Sequence, residues 1–306
     1  MWHCMSCCET FYPRRQNFNK PVKRSMAMKS SITLIPYGGL ANRMKAMEAL
    51  IALIQDTNVR ATAIWFKDKG LNCSFERLFQ PLDIPQLTFR NAILTDYLLN
   101  HRPRKNNFYI PYLFETIRFS SCLHEDEVTQ RTYQNFDFRQ WVLSNRKTYL
   151  SACLQFYPGD KQNSFSSFIP IPELQERINE RSRDFTPHTI GIHIRRTDNI
   201  ISIEKSPTEL FILRMKEEVK IHDDVSFYLA SDSPEEKKKL IAIFGNRIIT
   251  DYTPVSRSTP EGVQDALVEL YTLSRTQKII GSYYSSYSET AADIGNIPHE
   301  KIKRKT

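Results

Sequence analysis

The sequence lacks three features that would each assign it to a familiar class of protein. It has no stretch of about 18 apolar residues, so no transmembrane helix is expected. It has neither the G-x-G-x-x-G dinucleotide fingerprint nor the G-x-x-x-x-G-K-[ST] phosphate loop. Three of its six cysteines fall within the first eight residues and the others lie far apart, so their spacing predicts no disulfide framework.

Residues 1–29 also lack the apolar core of a secretory signal, since Glu9, Arg14 and Arg15 interrupt the segment early. We therefore expect a cytoplasmic protein with reduced thiols. The segment is interpreted as a disordered or spurious N-terminal extension, with Met26 and Met28 as alternative first residues.

The formal net charge of +8 is concentrated at the two ends of the chain. Residues 1–29 hold six basic side chains and one acidic one, and residues 300–306 hold four basic side chains and one acidic one. The rest of the chain is close to neutral, which argues against a nucleic-acid cleft. Basic ends on a neutral body are typical of solvated tails and also of peripheral contact with an anionic membrane, here the inner membrane.

The chain does contain an ordinary globular composition and clear strand and helix signals. Hydrophobic residues make up 41% and charged residues 25% of its 306 residues, a length that favours two domains. An apolar run at residues 31–36 leads through Gly38 and Gly39 into a helical pattern of apolar residues. A β-branched run at residues 61–66 follows, so this part predicts a βαβ unit.

The last third of the sequence alternates more regularly between strands and helices. The predicted strands cover residues 189–194, 225–230, 247–250 and 278–281, with helical patterns between them. Such alternation predicts a parallel sheet covered by helices. Turn-rich residues 161–172 separate the two parts. We therefore predict two Rossmann-like domains, an N-terminal one at residues 30–168 and a C-terminal one at residues 169–306.

Two adjacent arginines, Arg195 and Arg196, directly follow the predicted strand 189–194. The carboxyl ends of parallel strands open onto the ligand crevice, and arginine binds phosphate oxygens through paired, charge-assisted bonds. Because adjacent residues on a strand point to opposite faces, we expect Arg195 to meet the ligand and Arg196 to bind Asp198 or backbone. Taken alone, the group fits a surface ion-pair cluster equally well.

The residues around this pair resemble a known signature. Gly191-Ile-His-Ile-Arg-Arg-Thr-Asp198 resembles the His-x-Arg-Arg-x-Asp motif of the fucosyltransferase superfamily that includes the N-glycan core α-1,6 and nodulation enzymes. Three later segments resemble the same superfamily in the same order, at residues 227–234, 267–274 and 279–288. Gly38-Gly-Leu-Ala-Asn-Arg43 resembles its glycine loop, with Ala41 in place of a glycine. The resemblance implies a GT-B-type α/β fold, two Rossmann-like domains facing a cleft. It also implies that the domain at 30–168 is on the acceptor side and that the domain at 169–306 binds the nucleotide sugar.

The resemblance also implies roles for the site residues. It implies GDP-fucose as donor and a glycan as acceptor, with Arg195 on the β-phosphate, His193 on guanine and Glu269 at the guanine edge. The predicted donor-binding residues are Gly38, Gly39, Asn42, Arg43, His193, Arg195, Asp198, Asp232, Glu269, Ser285, Ser286 and Ser288. The alternative for His193 is a core histidine, although its position next to Arg195 favours the ligand role. The alternative for the serines is ordinary helix capping.

No Asp-x-Asp occurs in the sequence, so no metal or other cofactor is expected, and arginine and amide donors would offset the charge of the departing diphosphate. An inverting transfer needs a general base, for which Glu204 is the candidate, although a solvated loop glutamate fits as well. Arg195, Arg196 and Glu204 are the predicted catalytic residues of a metal-independent fucosyltransferase for bacterial surface polysaccharide. The alternatives are another nucleotide-sugar donor and a non-catalytic nucleotide-binding protein.

Overall fold

The computed structural model describes residues 30–160, 162–197, 199–251, 256 and 258–304. The predicted N-terminal extension and Asp198 lie outside the described residues. Two five-stranded sheets, in which all named neighbours pair in parallel, form the framework of the described chain.

The first sheet is built from the N-terminal half of the chain. Its strands are β1 (Ser31–Pro36), β2 (Arg60–Trp65), β3 (Leu87–Asn91), β4 (Ser121–Leu123) and β5 (Lys147–Ala152). The accompanying helices are α1 (Leu40–Thr57), α2 (Tyr97–Asn100), α3 (Ile110–Arg118), α4 (Glu125–Tyr133) and α5 (Phe138–Ser144), with 3-10 turns at Phe75–Arg77, Leu94–Asp96 and Lys105–Asn107. The strand order is β3-β2-β1-β5-β4, so β1 lies at the centre.

The second sheet is built from the C-terminal half. Its strands are β6 (Thr189–Ile194), β7 (Ser226–Ser231), β8 (Ile248–Ile249), β9 (Ile279–Ser282) and β10 (His299–Ile302). Its helices are α6 (Pro172–Arg181), α7 (Ile200–Lys205), α8 (Thr208–Ile221), α9 (Pro234–Phe244), α10 (Pro260–Leu273) and α11 (Ser286–Gly295), with a 3-10 turn at Gly245–Arg247. The strand order is β10-β9-β6-β7-β8, so β6 is central, and all six of its residues are buried.

The predicted α/β class with two parallel, Rossmann-like sheets is confirmed. Strands 31–36 and 189–194 have the predicted bounds, and each end of the other predicted strands differs by one residue. Four strands, β3, β4, β5 and β10, were not predicted. The proposed domain boundary near residue 168 falls between β5 and β6 and stays a prediction, as does the cleft.

The two sheets share much of one apolar core. A single cluster of buried side chains contains Ile32 and Met44 from the first half and Leu267, Leu270 and Ala291 from the second. Helix α10 packs against α6 and α11, and α11 also contacts α1. The first turns of α1 and α11 are therefore brought together. Within the described residues, no helix has both the length and the apolar character needed to cross a membrane.

Candidate functional site

The strand order of the second sheet places the end of β6 beside the end of β9. From β6 the chain proceeds to β7 and β8 on one side, and then returns to β9 and β10 on the other side. Open parallel sheets bind ligands outside the carboxyl ends of their strands at such a switch point. Arg195 follows β6 and Tyr283 follows β9. The backbone amide of Arg195 donates to Ser282 Oγ at 3.1 Å, which joins the two loops.

Asp232, which follows β7, organises the loop after β6. Its carboxylate accepts hydrogen bonds from the amides of Arg196 and Thr197, at 2.7 and 3.2 Å, and from Thr197 Oγ1 at 2.7 Å. It also pairs with Arg195, with Nη1 and Oδ2 3.1 Å apart. Burial alone would raise the pKa of Asp232, but the Thr197 hydroxyl, the Arg195 guanidinium and the amides hold it below its usual range. The carboxylate is therefore ionised and fixes the start of the loop.

The two arginines have different surroundings. The Arg196 guanidinium donates to the carbonyls of Arg195 and Ser206 at 2.8 and 3.0 Å, and to Thr208 Oγ1 at 2.8 Å. Its Nε lies 3.2 Å from a carboxylate oxygen of Glu236. Five donors in a planar fork suit this kind of multiple anchoring. Arg196 thus ties the loop to α8 and α9, while the Arg195 side chain extends beside Asp232 and is 19% exposed.

His193 lies two residues before Arg195, near the end of β6, and is almost completely buried. Its ring stands 5.0 Å from the ring of Tyr287 on α11, and its Nδ1 is buried with no hydrogen-bond partner among the described residues. Burial, and then the nearby charge of Arg195, lowers the pKa of His193 to about 3. The imidazole is consequently neutral at pH 7, with one nitrogen donor and one acceptor.

The turn after β9 leads into α11. Ser285 occupies the N-cap position and Ser286 begins the helix. Ser288 is fully buried against Gly281, where a Cβ atom would come within 2.5 Å of Ser288 Oγ. Asn199 Nδ2 donates to the carbonyl of Tyr284 at 2.8 Å and so connects this turn to the arginine loop. Because the first amides of a helix favour anions, the start of α11 adds to the positive potential around Arg195.

In the first sheet, the glycine loop after β1 occupies the corresponding switch point between β1 and β5. Gly38 has a φ of +83°, a conformation that favours glycine, and Gly39 is the N-cap residue of α1. Arg43 holds this loop from inside, because its Nε donates to the Gly38 carbonyl at 2.8 Å and its Nη2 to Asp68 at 2.7 Å. The Arg43 side chain has no exposed surface, so direct contact with a ligand does not fit its position.

Two polar contacts connect the halves beside these loops. Ser286 Oγ donates to Asn42 Oδ1 at 2.6 Å, and Lys45 Nζ pairs with Glu289 at 2.7 Å. Both contacts join α1 to α11, the two helices that begin after the carboxyl ends of β1 and β9. The glycine loop, the serine turn and the arginine loop therefore belong to one continuous arrangement.

Comparison with known proteins supports the architecture. No protein-family model and no curated protein matches the sequence. Among solved structures, the fucosyltransferase NodZ from Bradyrhizobium matches with a TM-score of 0.58 and 15% identity over 86% of this chain and 92% of that one. Arabidopsis thaliana FUT1 matches with a TM-score of 0.60 and 15% identity, covering 90% of this chain and 71% of that chain. POFUT1 gives 0.54 and 10% over 91% and 99%.

The chain has a fucosyltransferase fold. At identities of this level the likeness establishes the fold, and the resemblance predicted from the motifs is confirmed to that extent. NodZ was studied with GDP-fucose and with GDP, and POFUT1 with GDP.

Within this fucosyltransferase fold, Glu269 lies on α10 and is buried. Its carboxylate is 3.7 Å from Lys237 Nζ, which also donates to the Asp251 carbonyl. Burial raises the pKa of Glu269 to about 7, although Lys237 and Arg181 act in the opposite direction. The Glu269 side chain is 7% exposed. Its predicted contact with a guanine edge stays a prediction.

Two predicted site residues remain, Glu204 and Asp198. Glu204 is exposed on the short helix α7, just after the arginine loop, and makes no side-chain hydrogen bond or ion pair with another described residue. Asp198 lies outside the described residues, so the predicted contact between Arg196 and Asp198 stays a prediction.

Sequence reasoning did not identify several residues that shape the site. Ser282 and Asn199 hold the arginine loop to the serine turn, and Glu289 holds α11 to α1. Asn199 has a recognisable signal, because it is the N-cap residue of α7 and accepts from the Ser202 amide. The pairing of Lys45 with Glu289 joins residues far apart in the sequence, and no local pattern indicates it.

A cluster of three potential metal-ligating side chains lies elsewhere in the described part of the chain. His188, His222 and Asp224 bring three potential ligand atoms within 4.8 Å of one another. They precede β6 and β7, at the amino ends of these strands, whereas Arg195 and Asp232 follow the carboxyl ends.

Proposed function

We propose that this chain is a glycosyltransferase that transfers fucose from GDP-fucose to a hydroxyl group of a glycan, with inversion at the anomeric carbon. The observation that carries the proposal is the position of Arg195. It follows the central strand at the topological switch point, supported by Asp232 and Ser282, beside the start of α11. A guanidinium and helix amides together offer what a diphosphate requires.

In the proposed reaction, the acceptor oxygen forms a bond to the anomeric carbon of fucose as the bond from that carbon to the β-phosphate oxygen breaks. The electron pair of the broken bond leaves with GDP, and Arg195 and the amides of Ser285 and Ser286 stabilise the added charge. Attack from the face opposite the leaving group inverts the anomeric centre. The uncharged His193 suits hydrogen bonding to a guanine base, because it adds no further positive charge there.

The acceptor hydroxyl must lose a proton to a general base as the new bond forms. Glu204 is our candidate for this base, because it follows the arginine loop and its carboxylate is exposed to an incoming acceptor. A Glu204→Gln variant should keep wild-type GDP affinity and lose at least about tenfold in the rate of fucose transfer. Unchanged transfer by this variant would remove Glu204 from the mechanism.

We further propose that the reaction needs no metal, since Arg195 and the helix amides supply the positive charge. Fucose transfer should then proceed at the same rate in EDTA as in magnesium or manganese. A rate that collapses in EDTA and recovers with one of these ions would contradict this part of the proposal. Bacterial surface polysaccharide synthesis in the cytoplasm, at the inner membrane, is the setting that we propose for the activity.

Calorimetric titration with GDP and GDP-fucose tests the donor site directly. Arg195→Ala should weaken binding of both at least about tenfold, because a charged hydrogen bond to phosphate contributes about 1.5–3 kcal/mol. Arg195→Lys should recover part of the loss. Arg139→Ala, which removes a half-exposed arginine paired with Asp56, is the matched control and should bind normally. Equal affinity for wild type and Arg195→Ala would overturn the assignment.

The nature of the donor needs its own test, since another nucleotide sugar is the competing interpretation. A thermal-shift panel of GDP-fucose, GDP-mannose, ADP-heptose and UDP-sugars separates the possibilities, because the true donor stabilises the folded chain by mass action. We expect the largest shift with GDP-fucose. Binding of GDP-fucose without any transfer or hydrolysis would instead indicate a non-catalytic nucleotide-binding protein.

A further inference from the structure

Exposed apolar side chains are concentrated in one part of the surface. Among the described residues, nine of the eighteen large apolar side chains that are exposed fall between residues 93 and 117. We call them the 93–117 surface, and its members are Ile93, Leu94, Tyr97, Phe108, Tyr109, Ile110, Tyr112, Leu113 and Ile117. Scattered apolar side chains are normal on a protein surface, but a concentration of this kind marks an interaction site.

Helix α3 shows why these side chains do not belong to the core. Its inner side already packs, with Pro111 buried and Phe114 against a cluster that contains Ile35 and Ile64. Its outer side carries Ile110, Leu113 and Ile117 at spacings of three and four, with exposed fractions of 52%, 60% and 80%. A surface helix with one buried side usually presents polar residues outward. The apolar outer stripe of α3 therefore needs another partner.

The neighbouring turn enlarges this surface. Phe108 and Tyr109 have positive φ values of 51° and 54°, which bulky residues rarely adopt, and both rings face solvent. Helix α2 packs against α3, which holds Tyr97 on the same folded unit. Three of the nine side chains are tyrosines, whose rings combine an apolar body with a polar hydroxyl and suit a water–lipid boundary.

Within residues 93–118, the exposed charged side chains are all basic. Of these, Arg102 pairs with Glu125 and Asp126 of α4, at the border of the segment. Arg104, Lys105 and Arg118 are exposed, and no carboxylate of the described residues lies within ion-pairing distance of them. The two acidic side chains in the segment, Asp96 and Glu115, are almost completely buried. The 93–117 surface thus presents apolar and basic groups together.

We propose that the 93–117 surface docks the protein on an anionic lipid bilayer. Its apolar side chains would enter the boundary between headgroups and acyl chains, and Arg104, Lys105 and Arg118 would contact lipid phosphates. A second copy of the chain fits less well, because symmetric pairing of the same surface brings identical positive charges together. The basic chain ends were the only membrane contact that the sequence predicted, and this proposal adds a second membrane-binding site on the folded domain. It does not depend on the identity of the donor.

Docking in this way has a defined relation to the candidate site. The Tyr37 hydroxyl donates to the Asn100 carbonyl at 3.2 Å, so the segment of residues 93–118 is attached beside the glycine loop after β1. This loop lies at the carboxyl edge of the first sheet, on the side that we assign to the acceptor. The bilayer would then lie next to the edge at which an acceptor glycan binds.

Vesicle flotation of the full-length protein tests the proposal. We expect binding to phosphatidylcholine vesicles that contain phosphatidylglycerol, weaker binding to phosphatidylcholine alone, and a decline with added salt. The double variant Leu94→Ser/Ile117→Ser should bind at least about tenfold less, because it removes two side chains that would enter the bilayer. Arg104→Glu/Lys105→Glu should lose the preference for anionic vesicles.

The control is Leu213→Ser/Ile221→Ser, which removes two apolar side chains of α8 that are 59% and 64% exposed, and it should float like wild type. Circular dichroism and GDP titration establish that each variant is folded. Three results would overturn the proposal: no binding of wild type to anionic vesicles, equal binding by the Leu94/Ile117 variant and its control, or a dimer in light scattering that only the Leu94/Ile117 change dissociates.

Discussion

Arg195 and Asp232 form an ion pair, Nη1 to Oδ2 at 3.1 Å, across the ends of neighbouring strands β6 and β7. The same carboxylate accepts from the two backbone amides that follow Arg195. One acidic group therefore fixes both the side chain proposed to bind phosphate and the loop that carries it.

Asp232→Asn tests this relationship. The amide keeps the size of the carboxylate but loses its charge and one acceptor oxygen, so the arginine loop should become less ordered. We expect GDP affinity to fall about three- to tenfold by calorimetry, less than for Arg195→Ala. Asp224→Asn, an exposed aspartate that bonds to His188, is the control. Unchanged GDP binding by Asp232→Asn would show that the ion pair does not support the ligand site, and tighter binding would show that it competes with the ligand.

Glu269 predicts a dependence of stability on pH. Burial raises its folded-state pKa from 4.5 to about 7, so the folded chain holds this proton more tightly than the unfolded chain does. The resulting stability is fully present below about pH 4.5 and is lost as the pH rises through 7. His193, with a pKa lowered to about 3, acts in the opposite direction between pH 3 and 6.5.

Comparison with a variant isolates the Glu269 contribution. The free energy of unfolding of wild type minus that of Glu269→Gln should fall by on the order of 1–3 kcal/mol between pH 4.5 and 7.5. Urea titrations at several pH values provide the measurement. A difference that is flat across this range would mean that Glu269 stays ionised beside Lys237.

Arg43 should be essential to stability rather than to ligand contact. Arg43→Met would leave the carbonyls of Gly38 and Phe66 and the partly buried Asp68 carboxylate without their arginine partner. Breaking a buried ion pair from one side costs about 3–5 kcal/mol, whereas an exposed pair contributes less than about 1 kcal/mol. Chemical denaturation should show the large loss for Arg43→Met and almost none for Arg139→Ala. Near-wild-type stability of the Met variant would contradict the role assigned to the buried arginine.

Gly281 should be required for the position of α11. A Cβ there would approach Ser288 Oγ to 2.5 Å and His299 Nε2 to 2.7 Å, so Gly281→Ala has to displace the first turn of the helix. We expect a stability loss of about 1–3 kcal/mol and weaker GDP binding. Gly159→Ala, where the nearest atom is 3.5 Å away, is the matched control. If both variants bind GDP and unfold alike, the close approach at Gly281 does not position the helix.

Local sequence patterns were sufficient to predict much of the fold, but they did not predict which polar side chains are buried. Strands β1 and β6 are short apolar runs, and α1 repeats its apolar residues every three or four positions, so all three were predicted. Strand β5 was missed because its Thr148 and Ser151 interrupt an apolar pattern, although both are buried. Strand β10 was missed because His299, Glu300 and Lys301 make an edge strand look like a polar tail.

The site shows the same division. The arginine pair could be predicted as a site because both residues directly follow a predicted strand. Their different roles could also be predicted, because adjacent residues of a strand point to opposite faces of the sheet. The burial of Arg43 could not be found, since the glycine motif does not reveal that Phe66 and Asp68 surround the next side chain. The contact between Asn42 and Ser286 joins residues from different sheets, and only the packing of α1 on α11 brings them together.

The hydrogen bond between Tyr37 and Asn100 has a consequence for how the protein would meet its acceptor. It fixes the 93–117 surface to the rim of the first sheet, so a bilayer-bound molecule would have its acceptor edge held at the height of the headgroups. A glycan carried on a lipid would then reach that edge by lateral diffusion in two dimensions. Free oligosaccharides of the same structure would have to arrive from bulk water, and we expect them to be the poorer substrates.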